Sequence, residues 1–204
     1  MTNAGIDYMK SKYLLSTIIA VLFITAGFGH IVFGQNTKVT AKAESLAGDR
    51  FTVSAKTPKG ATIYAVNKPT STVLNAIDKG LTDLFAVAKK NGYRTRLNYT
   101  DYTIYIAKAD RTKNAAGEYS PDFAVGAQQY AGSVYDQGGF IYAAGMVLAY
   151  TPCSFIIAEH EKKFERISDV VRFEGEHIVL YHNDRRRYNE TADHSKGGGH
   201  PILQ

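Results

Sequence analysis

Histidine side chains are concentrated near the C-terminus of this 204-residue chain. Four of its six histidines lie within the last 28 residues: His177, His182, His194 and His200. Imidazole is the most common metal ligand in proteins and a common general base. The concentration therefore predicts a metal-binding or acid–base site built from the C-terminal part of the chain.

A long helix is predicted to carry part of this site. Ser168 is a suitable N-terminal cap, and residues 176–196 contain neither glycine nor proline, so the helix is expected to continue through the mid-180s or beyond. At 100° per residue, one stripe should face a sheet, and it consists of Val170, Glu174, His177, Tyr181, Asp184 and Tyr188. A glutamate and a histidine on an inward stripe need a metal ion or a polar network. The alternative is that both are hydrogen-bonded groups at the edge of the core.

Five residues of this helix resemble a known catalytic motif. Residues 173–177 read Phe-Glu-Gly-Glu-His, which is similar to the His-Glu-x-x-His motif of the zincin metalloproteases with its first histidine replaced by phenylalanine. The resemblance implies that Glu174 is the general base for a zinc-activated water and that His177 is a zinc ligand. Phe173 cannot bind a metal, so the other ligands must come from elsewhere.

Three further residues are candidates for the missing ligands. Asp184 lies two turns along the same stripe as His177, and His194 or His200 would reach the ion from the terminal loop. His182 is about 140° round the helix from His177 and is not expected to point at the same ion.

The terminal loop and a tyrosine complete the expected site. Residues 197–203 read Gly-Gly-Gly-His-Pro-Ile-Leu, and the apolar end could dock on the domain. The alternative is a solvated tail. Tyr181, or Tyr188, is available to stabilise an oxyanion.

The residues before the motif predict a mixed α/β (α+β) domain. Short alternating runs in residues 38–66 favour three strands, two of them in a hairpin. The later elements are expected to be a helix capped by Ser71 or Thr72 and ended by Asn91-Gly92, and strands at 102–107, 140–150 and 154–158. Residues 120–150 are nearly uncharged, and an irregular loop or edge segment is expected in their first part.

The order of these elements also resembles the zincin core over residues 61–190. In that family a strand, a long helix, a strand, an edge segment and a strand precede the motif helix. The resemblance implies a mixed twisted sheet whose edge strand lies over a cleft and pairs with an extended peptide or protein substrate.

The first 34 residues are predicted to be an export signal or a membrane anchor. Lys10 and Lys12 precede an apolar run over residues 13–33, which favours an N-terminus retained in the cytoplasm. Val32 and Gly34 fit a cleavage site, whereas the full run is almost long enough to span a bilayer uncleaved. Either way the segment engages the membrane during export, and residues 35–204 are expected to form one extracytoplasmic domain, secreted, periplasmic or anchored.

Composition excludes several other classes of protein. The net charge of +5 comes from interspersed acidic and basic residues, which is not the concentrated patch of a nucleic-acid-binding protein. The single cysteine, Cys153, excludes an internal disulfide framework and a cysteine-rich metal site.

Two functions of different classes are compatible with the sequence. The first is an exported zinc-dependent, peptidase-like hydrolase, or its inactive descendant, with Glu174 as base and His177 as ligand. The second is a non-catalytic binding or envelope-interaction module that uses the tyrosine- and glycine-rich residues 120–150 for recognition.

Overall fold

The structure is a computed structural model that describes residues 37–110, 121–132, 138–160 and 163–203. The predicted export segment, residues 1–34, lies outside this part of the chain. Among the described residues, no helix combines the length and the apolar character needed to cross a membrane. Residues Val39–Gln204 form one compact unit.

The centre of the fold is a five-stranded mixed sheet, which confirms the predicted mixed α/β class. Its strands are β1 (Val53–Lys56), β2 (Thr62–Ala65), β3 (Tyr102–Ala107), β6 (Gly145–Tyr150) and β7 (Cys153–Ala158). Their order across the sheet is β1-β2-β3-β7-β6. Strands β2, β3 and β7 are parallel, whereas β1 and β6 run antiparallel to their neighbours. The hairpin predicted between the early strands is formed by β1 and β2.

Helix α2 (Ser71–Lys90) follows the sequence pattern closely. Its cap is Thr70, one residue before the predicted position, and the Thr70 side chain accepts a hydrogen bond from the backbone N–H of Val73. Asn91 ends the helix, as predicted. The apolar residues of the predicted inward face are buried: Val73, Ile77, Leu81, Leu84 and Ala88.

The motif helix differs from its prediction at both ends. Helix α4 spans Phe164–Asn183, and a separate helix α5 spans Arg185–Thr191. Ser168 is a buried residue within α4 rather than its cap, and its hydroxyl donates to the backbone oxygen of Ala76 in α2. The helix breaks at Asp184 because the side chain of that residue caps α5.

The first predicted strand is wrong, because residues 37–47 form a helix, α1. Val39, Ala43 and Leu46 are buried, and their spacing of four and three residues is helical. The alternation of apolar and polar residues that favoured a strand covers only part of residues 37–47.

The strand predicted for residues 140–150 is divided at Ala144. Its first part, β5 (Phe140–Ala143), pairs with β4 (Phe123–Gly126) in a separate two-stranded sheet, and its second part is β6. A four-residue helix, α3 (Ala127–Tyr130), follows β4.

The two faces of the five-stranded sheet contact different layers. Ile104 and Phe155 face α2 and α4, whereas Tyr105 and Ile156 face α1 and the β4–β5 sheet. Helices α2 and α4 approach closely at Gly80, where a Cβ atom would lie 2.5 Å from the backbone oxygen of Ser168. This close approach fixes α4, and with it the motif, against the rest of the domain.

Candidate metal centre

Three histidines from separate elements converge at the C-terminal half of α4. His177 lies on α4, His194 begins a short 3-10 helix (His194–Lys196), and His200 follows in the terminal loop. One nitrogen from each ring lies within 4.8 Å of the others. A tetrahedral zinc ion about 2.0–2.1 Å from each nitrogen holds its donors about 3.4 Å apart, so nitrogens within 4.8 Å of one another would share an ion after a small inward rotation of the rings. The structure therefore brings together three of the four residues predicted as ligands.

The terminal loop that carries His200 is packed on the domain rather than solvated. Ile202 is buried, and Leu203 packs against the core between the sheet and the two long helices. The ring of Phe173 stacks on the ring of His200, with centroids 4.6 Å apart. The residue that replaces the first histidine of the motif thus supports a histidine supplied by the loop.

Glu176 joins the loop to α4 and was not predicted as part of the site. The side chain is completely buried, and its Oε1 accepts the backbone N–H of Ile202 at 3.1 Å. Its Oε2 lies 3.4 Å from Nδ1 of His200, and neither of these two atoms has a hydrogen-bond partner among the described residues. A carboxylate beside one ring nitrogen orients an imidazole whose other nitrogen binds a metal.

Glu176 lies on a second buried stripe of α4, which is why the sequence did not predict it as part of the site. Val179 and Leu180 follow it at the helical spacing of three and four residues, and both are buried. Only the stripe through Glu174 was considered as an inward face. An acidic residue followed at these positions by two large apolar residues is the signal that could have identified it.

The protonation states of two of the histidines suit metal binding. Burial, together with the neighbouring His200 and His194, lowers the pKa of His177 to about 3. Burial and His200 also lower the pKa of His194. Neutral imidazole is the form that coordinates a metal, so the rings of His177 and His194 need not lose a proton at neutral pH.

Glu174 has a different set of neighbours from His177. It packs against Gly145 of the edge strand β6, where a Cβ atom would lie 2.9 Å from Cγ of Glu174. Burial, partly offset by a hydrogen bond from the backbone of Val147, raises the pKa of Glu174 to about 8. Among the described residues, no hydrogen bond joins Glu174 to His177.

Asp184 and His182 are engaged elsewhere. The Asp184 carboxylate accepts the backbone N–H of Arg187 at 3.0 Å and the hydroxyl of Tyr93 at 3.3 Å. The first of these bonds is the main cause of its lowered pKa. Nε2 of His182 lies 2.7 Å from the backbone oxygen of Tyr150. Asp184 is therefore a helix cap, and His182 points away from the three histidines, as predicted.

Tyr181 belongs to an aromatic cluster that contacts the end of β6. Its ring stacks on Tyr150 with centroids 4.2 Å apart, and the guanidinium of Arg185 lies 3.3 Å above it. The hydroxyl of Tyr188 donates to the hydroxyl of Tyr150 at 2.5 Å. Within the described part of the chain, no ring contact joins Tyr181 to His177, His194 or His200.

Comparison of the chain with protein-family models, with curated proteins and with solved structures found no match. The chemistry of the centre therefore follows from its donors alone. If zinc were bound here, three imidazoles would leave one position of a tetrahedral site open, which is the arrangement of catalytic rather than closed structural zinc sites.

Proposed function

We propose that residues 35–204 form an extracytoplasmic zinc-dependent hydrolase of the peptidase type. The observation that carries the proposal is the convergence of His177, His194 and His200 within 4.8 Å. When zinc is bound there, it supplies Lewis acidity and activates a water molecule near neutral pH. The chain itself supplies the ligands, their orientation and the surrounding walls.

The proposed ligand set accounts for the loss of the first motif histidine. Phe173 cannot ligate, but it packs against His200, which the loop brings to the centre. Glu176 holds the same imidazole from its Nδ1 side and leaves Nε2 for the metal. Oε2 of Glu176 and Nδ1 of His200 are buried and have no hydrogen-bond partner among the described residues. A metal ion on the other side of the His200 ring would balance the negative charge of the buried Glu176 carboxylate.

Glu174 is the proposed general base. It lies one helical turn before His177, against the edge strand β6, where an extended substrate would add to the sheet. A nearby divalent cation favours the ionised form of a carboxyl group, so zinc would lower the raised pKa of Glu174 and leave it able to accept a proton. Tyr181 is the proposed oxyanion stabiliser.

The zincin-like architecture is part of this proposal. Two features support it: the antiparallel edge strand β6 packs against the motif helix α4, and α2 and α4 cover the same face of the sheet.

A binding module remains the second candidate, because one surface favours it. Phe140 and Tyr142 alternate on β5 and are 70% and 51% exposed. Two large apolar side chains on one strand face suit recognition of a partner in the cell envelope.

Hydrolysis by the full chain tests the proposal. We expect the zinc-loaded protein to cleave a mixture of unstructured peptides. Mass spectrometry of the peptides measures the cleavage, and a chelator should abolish it. Glu174→Gln should keep the zinc and lose the cleavage, whereas Glu190→Gln, on the exposed side of α5, should resemble the wild type.

Two outcomes would contradict this assignment. Cleavage by Glu174→Gln at the wild-type rate would exclude Glu174 as the base. A zinc-loaded wild-type protein that cleaves nothing would favour the inactive descendant or the binding module.

A further inference from the structure

A surface pocket lined by three cations lies at the C-terminal end of α2, and it shares no residue with the metal centre. Its volume is about 360 Å³, which is within the range of small-molecule sites. The lining residues are Lys89, Tyr93, Arg94, Arg96, Leu97, Asn98 and Asp101. Three positive side chains therefore line the pocket together with one carboxylate.

The cations of this pocket are accessible and largely unpaired. Lys89 and Arg94 are exposed, and within the described part of the chain their side chains form no hydrogen bond or ion pair. Nη1 of Arg96 lies 3.6 Å from Oδ1 of Asp101, which is too far for a hydrogen bond, and the Arg96 side chain is 36% exposed. A ligand in the pocket can therefore reach all three side chains from solvent.

A second basic run, the three arginines at residues 185–187, lies beside the pocket. Asn183 joins the two segments, because its Oδ1 accepts the backbone N–H groups of Arg94 and Thr95 at 3.1 and 2.9 Å. Nη1 of Arg187 also donates to the hydroxyl of Tyr93 at 3.4 Å. The two basic runs are far apart in sequence, so this concentration of positive charge arises only in the folded chain.

The opposing charges are already engaged or offset. The Asp184 carboxylate accepts the backbone N–H of Arg187 and the hydroxyl of Tyr93. The C-terminus of α2 carries a partial negative charge, which Lys89 and Lys90 in its last turn offset. The remaining balance is positive and favours an anionic ligand.

The backbone of Arg96 is held by the core of the fold. Its φ of 61° lies in the left-handed region, which is uncommon for residues other than glycine and is found at ligand-binding sites. Its backbone oxygen accepts the hydroxyl of Tyr102, which is fully buried, at 2.8 Å. The position of Arg96 is therefore fixed before a ligand arrives.

We propose that this pocket binds the phosphate group of a small organic phosphate ester. A phosphate dianion needs several cations to balance it, and the guanidinium groups of Arg94 and Arg96 can donate to it in the paired geometry that arginine favours. Tyr93 and Leu97, which pack against the core, give the pocket an apolar wall for the organic part of the ligand. This inference does not depend on the metal centre.

Titration of the zinc-free full chain with phenylphosphonate tests the proposal by NMR, and the absence of zinc keeps the phosphonate from binding at the metal centre. We expect saturable shifts of the backbone amides of Gly92 and Leu97. Benzyl alcohol has the ring without the charge and should cause no saturable shift. Inorganic phosphate lacks the ring and should bind about tenfold more weakly than phenylphosphonate.

Four outcomes would overturn the proposal. These are saturable binding of benzyl alcohol, equal affinity for inorganic phosphate, and no saturation by phenylphosphonate. The fourth is binding of dihexanoyl phosphatidic acid about tenfold more tightly than phenylphosphonate, which would assign the phosphate to a lipid rather than to a small ester.

Three variants separate binding from folding. Arg96→Gly removes the guanidinium but suits the left-handed backbone, so the melting temperature should change little while phenylphosphonate binding falls about tenfold or more. Lys89→Gln and Lys90→Gln remove equal charges from adjacent positions, but only Lys89 lines the pocket. Lys89→Gln should weaken binding several-fold, whereas Lys90→Gln should resemble the wild type at physiological salt. Wild-type affinity in both Arg96→Gly and Lys89→Gln would place the ligand elsewhere.

Discussion

At the scale of single residues, the candidate metal centre is expected to depend on a carboxylate that would not itself bind the metal. Glu176 contacts the terminal loop through one oxygen and His200 through the other. An imidazole held from its Nδ1 side presents Nε2 in a fixed direction and is a stronger donor. Glu176 therefore links the packing of the loop to the affinity of the site.

The substitution Glu176→Gln tests this role. The amide keeps a carbonyl oxygen for the backbone N–H of Ile202 but loses the charge beside His200, so zinc affinity should fall about 10- to 100-fold. Competition with a chelating dye measures it. Glu165→Gln, at an exposed position of the same helix, is the control. Unchanged affinity in Glu176→Gln would mean that the carboxylate serves only to anchor the loop.

The raised pKa of Glu174 predicts a pH dependence of stability in the metal-free chain. A folded pKa of about 8, above the ordinary value of 4.5, means that the folded state retains a proton that the unfolded state releases. The resulting stabilisation is complete below pH 4.5 and is lost as the pH rises through 8. The lowered pKa values of His177, His194 and His160 act in the opposite direction, up to about one pH unit above the ordinary histidine pKa of 6.5.

The window between about pH 7.5 and 8, above the titration of the unfolded histidines, therefore isolates Glu174. The free energy of unfolding should fall by at most about 1.4 kcal/mol per pH unit in this window. Urea titrations followed by the near-ultraviolet circular dichroism of the tyrosines measure the slope. In Glu174→Gln the slope should vanish, and a wild-type slope in that variant would assign the effect to another group.

The residue types alone predicted a site built from the C-terminal histidines, but they did not show which of the predicted ligands come together. His177, His194 and His200 meet, whereas Asp184 became a helix cap because the chain turns at that position. In a continuous helix, Asp184 would lie on the same stripe as His177. The break between α4 and α5 takes Asp184 off that stripe. The Asp184 carboxylate caps α5 through the backbone N–H of Arg187, and it also accepts the hydroxyl of Tyr93, which is far away in sequence.

At the scale of elements, the packing of α2 on α4 positions the motif. Gly80 allows the two backbones to approach, because its missing side chain leaves room for the carbonyl of Ser168. At Gly175, by contrast, an added Cβ would meet only the end of the Leu84 side chain, at 2.5 Å. The two glycines thus differ in what they face, a backbone atom or a side chain that can move.

This difference predicts unequal costs for two alanine substitutions. Both raise intrinsic helix propensity by about 1 kcal/mol. Gly80→Ala should nevertheless lower the free energy of unfolding by roughly 1–3 kcal/mol, because a backbone carbonyl cannot move cheaply. Gly175→Ala should cost less, since Leu84 can change its rotamer. Urea unfolding of both variants checks the order, and a Gly80→Ala protein as stable as the wild type would contradict the close approach.

The elements that were predicted correctly have long or clear patterns. Helix α2 and strand β3 show uninterrupted periodicity over residues 71–90 and 102–107. Helix α1 was missed because few of its residues are large and apolar, and burial against the sheet decides its conformation. The division of β5 from β6 depends on pairing with β4, which local sequence does not reveal.

At the scale of the whole molecule, the compartment of residues 35–204 remains a prediction from the N-terminal charge and apolar run. A reporter fused after Gln204 tests it: alkaline phosphatase should be active and green fluorescent protein dark, because the first needs export and the second folds in the cytoplasm. Exchange of Lys10 and Lys12 for glutamate should weaken this orientation. Activity of the fusion confined to the cytoplasm would contradict export.

The central claim is that the three converging histidines bind zinc, and metal analysis of the full chain tests it most directly. After loading with zinc and removal of the excess, the wild-type protein should retain about one zinc per chain. His200→Ala should lose the metal and the zinc-dependent part of the thermal stability. His182→Gln, on the same helix but outside the cluster, should retain both. A metal-free wild-type protein, or equal zinc in the wild type and in His200→Ala, would contradict the assignment.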